Sequence, residues 1–143
     1  MLSFRVAVIG VFLAMSGSQD AFARSLDRTV IRMHCAEGEL PEARRQGLCR
    51  SIVQALVQII PQAAPRMVPE DQWQPARPND ISVRLELCGT SGKLLWQQGP
   101  TGELHTGPDM PLRLTDMSDA SGLKTFADKL VAATRPLLAR TLK

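Results

Sequence analysis

The stretch that most constrains this chain runs from Leu40 to Ile60, LPEARRQGLCRSIVQALVQII. Leu48, Cys49, Ile52, Val53, Leu56, Ile59 and Ile60 recur at three- and four-residue steps, the period of one helix face. Arg44, Arg45, Arg50, Ser51, Gln54 and Gln58 fall mostly on the other side. Pro41 and Glu42 suit a first turn, where a missing N–H costs nothing and a carboxylate meets the helix dipole. Pro61 stops the helix. Gly47 weakens it by roughly 1 kcal/mol relative to alanine, which allows a later start. A helix with one apolar stripe must bury it, so the rest of the chain has to supply a cover.

The N-terminal segment does not supply it. Arg5 gives a short positive region, Val6 to Met15 is an apolar run too short to span a bilayer comfortably, and Ala21-Phe22-Ala23 has the small-x-small pattern of a cleavage site. Residues 1–23 therefore read as a secretory signal peptide, with cleavage expected after Ala23 and a periplasmic or secreted destination. No cysteine lies near that site, which disfavours a lipid anchor, and stable membrane insertion after cleavage is not expected. Residues 24–143 are enough for one domain with one core. The leader carries one basic and one acidic residue, Arg5 and Asp20, so the net charge stays at +3. That mild balance permits anionic contacts. The scattered basic residues and the absence of tyrosine give no interleaved aromatic and basic pattern for nucleic acid.

Strands are expected on both sides of the helix. Arg28 to Cys35 alternates, with Ile31, Met33 and Cys35 on one face and Val30, Arg32 and His34 on the other. Ile81 to Cys88 is the cleanest strand: Ile81, Val83, Leu85 and Leu87 face one way, Ser82, Arg84, Glu86 and Cys88 the other. Gly89-Thr90-Ser91-Gly92 reads as a four-residue hairpin loop returning through Lys93 to Gln98. That register pairs Cys88 with Lys93, Leu87 with Leu94 and Leu85 with Trp96. Between these strands, residues 61–78 carry five prolines and read as a crossover loop, with Trp73 pinning it to the body. Gly99 to Pro111 reads as irregular loop, and Leu112 to Leu114 as a short strand. Asp116, Ser118 or Asp119 is placed to cap a second amphipathic helix over Gly122 to Leu142, kinked or split at Pro136.

The order strand-helix-strand-strand-(strand)-helix implies an α+β two-layer sandwich. Two helices cover one face of a small mixed or antiparallel sheet, and the other face is left open to water.

Three cysteines in an oxidising compartment imply a disulfide, and there is no CxxC. Cys35 on its strand and Cys49 on its helix both face the layer between sheet and helix, so Cys35–Cys49 is the expected bond. It closes a 15-residue loop, worth about 3 kcal/mol in the chain-entropy picture. Cys35–Cys88 is second choice, since it needs one facing assignment to fail. Cys88 is left as a free thiol beside the Gly89 turn, able to join a second copy as a covalent homodimer.

Catalytic and metal patterns are thin. No GxSxG, HExxH or P-loop occurs, and His105 near Asp109 lacks a matching nucleophile. Glu37/Glu39 and Glu70/Asp71 lie in loops. Met33, His34 and Cys35, with His105, Met110 and Met117, make a soft-ligand copper set only if they converge, and strand alternation points His34 away from its neighbours. No cofactor is implied. The open face carries Arg32, His34 and Arg84, joined by Arg113, as a basic stripe. The expectation is a non-enzymatic binding or accessory module of the cell envelope, docking an acidic protein or anionic envelope component there. The alternative is a small envelope hydrolase or a copper-binding protein.

Overall fold

The structure, a computed structural model, describes residues 29–36, 38, 40–113 and 118–143. The proposed leader, Glu37, Glu39 and residues 114–117 lie outside the described residues. The expectations for cleavage at Ala23, Leu114 in a strand, Asp116 as a cap and Met117 as a ligand therefore fall there too.

Strand β1 (Val30–Cys35) feeds helix α1 (Glu42–Ile59), and the chain returns through β2 (Ala64–Met67) parallel to β1. Pro41 and Glu42 open the helix as expected, and Gly47 does not delay it. Strand β2 is the first departure from expectation, because a proline-rich loop was predicted there. Pro65 fits because β2 is an outer strand. The N–H groups of Ala64 and Val68 donate to the carbonyls of Thr29, just before β1, and of Met33 within it, which turns residue 65 outward, where no ladder donor is needed. A 3-10 turn (Glu70–Gln72) and a further stretch lead to β3 (Ile81–Cys88), parallel to β1 on its other side.

β3 turns tightly into β4 (Ser91–Gln98), and two-residue strands β5 (His105–Thr106) and β6 (Met110–Pro111) line the outer edge of β4. Helix α2 (Ala120–Thr141) closes the chain. The sheet is mixed, ordered β2-β1-β3-β4-β5, with β6 also on β4. The expected strand at Leu112 to Leu114 is displaced: pairing ends at Pro111, and the Leu112 N–H donates to the Thr90 carbonyl at 2.6 Å. Asp119 caps α2, its carboxylate accepting from the Gly122 N–H at 2.7 Å. Pro136 does not split the helix, which stays one run to Thr141.

The hairpin register also differs from expectation. Only Gly89 and Thr90 form the loop, so Cys88 pairs with Ser91, Leu85 with Leu94 and Val83 with Trp96. Gly89 supplies the positive φ of 60° that a two-residue turn requires. Gly92 serves packing instead: a Cβ there would lie 3.1 Å from Leu87 and 3.2 Å from Phe126 of α2. The shift is two residues, an even number, so every side chain keeps its face. It also sets Glu86 opposite Lys93, 3.8 Å apart.

α1 and α2 pack against each other and against the sheet. The core lies between them: Ile31, Met33, Val83, Leu85, Leu94 and Trp96 from the strands meet Leu48, Ile52, Leu56, Phe126 and Leu130 from the helices. Cys35 and Cys49 are bonded across this layer, with Cα atoms 6.1 Å apart. Cys49 lies about two turns into α1, roughly 10 Å along its axis, and there it meets Cys35. Asp80 fastens the opposite end of the sheet. Its carboxylate, 1% exposed, accepts from the Val30 N–H at 3.1 Å and pairs with Arg77 at 3.3 Å.

The second face of the sheet is not open, contrary to expectation. β2 and β3 flank β1, so the chain between them must cross β1. Helix α1 already occupies one face, and the crossing takes the other. Residues 68–80 lie over β1 and β3 there, with Val68 and Trp73 buried beneath them.

Candidate functional site

The predicted basic stripe is split by this crossing. Arg32, His34 and Arg84 do come together on the second face, yet each is engaged from above. The Gln72 carbonyl accepts from Arg32 at 3.2 Å, and the Val68 carbonyl lies 3.2 Å from His34 Nδ1. Arg84 stacks over the Trp73 ring, 4.9 Å from its centroid, and pairs with Glu70 at 3.3 Å. Trp73 itself is fixed by its indole N–H to the Val83 carbonyl at 3.0 Å, and the Ser82 hydroxyl donates to the Trp73 carbonyl. The Nε atoms of Arg32 and Arg84 are buried without partners. These arginines and the histidine hold the crossover to the sheet.

Arg113 is elsewhere. It lies at the end of the molecule where the β3–β4 hairpin meets the start of α1, on the rim of a groove of about 520 Å³. Leu40, Pro41, Leu87 and Leu112 give it a mostly apolar lining. Arg44 on the first turn of α1 and Arg113 are both exposed, and neither pairs with an acidic side chain among the described residues. Cys88, the free thiol, also lines the groove and is exposed. The groove has the size of a small-ligand site, with mostly apolar walls and a few charges to orient an occupant. Sequence reasoning missed it because its residues come from separate segments with no common period. Sequence parity assigns both Arg113 and Cys88 to the open sheet face, and the structure places both at this groove.

The other candidates do not converge. Met33 is buried under the helices, His34 is on the opposite face, and Cys35 is bonded to Cys49, so the imagined copper ligands are dispersed. His105 stacks on Trp96 with ring centroids 5.8 Å apart, and Trp96 donates to Thr141 at 2.8 Å. Among the described residues, no three His, Cys, Asp or Glu side chains gather as metal ligands, and no helix is long and apolar enough to cross a membrane. In comparisons with known proteins, no family model matches this chain and no curated protein matches it.

Proposed function

We propose that this chain is an exported, non-enzymatic binding or accessory module of the cell envelope, and that it docks an acidic partner. The leader pattern of residues 1–23 and the Cys35–Cys49 bond support the compartment. The docking surface in this reading is the groove between the hairpin and α1, in place of the sheet face first expected. The observation that carries it is the pair of exposed arginines, Arg44 and Arg113, on the rim of an apolar groove. Arg32 and Arg84 are already engaged by residues 70–73, so a partner would have to displace those contacts to reach them.

Capture from an envelope extract tests this, with residues 24–143 as bait. R44E/R113E should abolish capture of whatever the wild-type chain retains, with little change in thermal stability. R32E/R84E should leave capture largely intact while loosening the crossover. The opposite pattern would return the docking surface to the sheet face. Capture indifferent to both pairs would end the acidic-partner reading. Mass spectrometry of the exported protein should show a chain beginning at Arg24.

A further inference from the structure

The groove combines two features that suit different halves of one molecule. Leu40, Pro41, Leu87 and Leu112 offer apolar walls, which gain by removing hydrocarbon from water. Arg44 and Arg113 offer planar, permanently charged donors that match a carboxylate or phosphate head. A small inorganic anion would leave the walls wet. A neutral alkyl chain would leave both arginines unused. A polyanion would need more cations than two.

We infer that the groove takes a single-chain amphiphile with one anionic head, the head on Arg44 and Arg113 and the chain against Leu40, Pro41, Leu87 and Leu112. This rests on the docking reading above and narrows the partner from acidic in general to an anionic amphiphile bound as a monomer. Glu42, two residues before Arg44, makes no ion pair with it, and Glu37, Glu39 and Asp116 lie outside the described residues.

Cys88 provides a built-in reporter. It is the one thiol left after Cys35 and Cys49 bond, and it lines the groove, so an occupant shields it. The experiment measures the rate of Cys88 alkylation by iodoacetamide in residues 24–143, with hexanoate, octanoate or decanoate present. Decanoate should slow alkylation saturably. The half-protecting concentration should fall about fourfold per added methylene, from about 0.8 kcal/mol for each buried CH₂. Decanol and decyltrimethylammonium should protect far less. R44Q/R113Q should raise the half-protecting decanoate concentration about tenfold or more, the loss expected for a charge-assisted hydrogen bond, with an unchanged circular dichroism spectrum. Equal protection by decanol, or no dependence on chain length, overturns the amphiphile. Protection by an acidic peptide but not by decanoate also overturns it, while leaving the docking module standing. Failure of both decanoate and the peptide to protect Cys88 overturns the groove as a site altogether.

Discussion

The two faces of the sheet are covered by different means. On one face, two amphipathic helices lay a continuous apolar stripe on Ile31, Met33, Val83, Leu85, Leu94 and Trp96. On the other, residues 68–80 cross as a strap with Val68, Trp73 and Pro75 buried, and the hydrogen bonds and ion pair that tie it to the sheet are polar. The first cover is broad and nonspecific, so its stability comes from area removed from water and from close packing. The second depends on individual hydrogen bonds, one stacked cation and one exposed ion pair. Each such contact contributes little net energy, and the strap should be the weaker side. The chain's two tryptophans stand one on each side, Trp96 under the helices and Trp73 under the strap, so each face carries its own fluorescent reporter.

The largest effect is expected on the helix side. Leu56 is 1% exposed in the centre of the α1 stripe. Leu56→Ala should cost about 3 kcal/mol or more, through lost transfer energy and the cavity left behind. Urea unfolding followed by circular dichroism gives the value, and the slope with denaturant should stay unchanged. A loss under about 1 kcal/mol would mean that the helix layer is far more loosely packed than its burial implies.

This asymmetry also explains which parts of the fold were legible in the sequence. Ile31, Met33 and Cys35 alternate, and Leu48, Cys49, Ile52 and Leu56 repeat at helical spacing. Period alone therefore identified the helix-side core, and from it the Cys35–Cys49 bond. The hairpin register was misjudged by two residues because Gly89 and Gly92 both looked like turn residues, while one serves the turn and the other the approach of Phe126. Faces survived the error because parity did. The strap was not legible. Ala64-Pro65-Arg66-Met67 has no alternation, and its pairing with β1 follows from the βαβ connection, so the need to cross β1 could not be read from any local pattern. The groove was hidden for a related reason: Leu40, Leu87 and Leu112 meet only after the hairpin and the start of α1 are placed.

On the strap side, Trp73→Phe should cost about 1–2 kcal/mol. The ring stays apolar, but the indole N–H to the Val83 carbonyl is lost, and such a bond is worth about 1 kcal/mol net. Trp96 then reports alone. Its emission should still mark a single cooperative transition, moved to lower urea. If the midpoint does not move, the Val83 contact contributes nothing, and the strap is held by its polar ends.

The smallest effect separates the remaining strap contacts. Arg84 makes two: the stack on Trp73 at 4.9 Å and the pair with exposed Glu70 at 3.3 Å. The stack should be worth about 0.5–1 kcal/mol at a partly exposed site. The ion pair should add between zero and about 1 kcal/mol, and salt screens it. Arg84→Gln removes both charge interactions while keeping part of the stem over the ring, so the total loss should stay near 1 kcal/mol at low salt. At 1 M salt the Debye length falls to about 3 Å, and the part owed to Glu70 should vanish while the stacking part remains. Glu70→Gln should reproduce only the salt-sensitive part. Both variants are read by urea midpoints followed by circular dichroism. A loss above about 2 kcal/mol for Arg84→Gln would break the comparison. It would mean that the strap behaves as core, with Arg84 a central support of the second face.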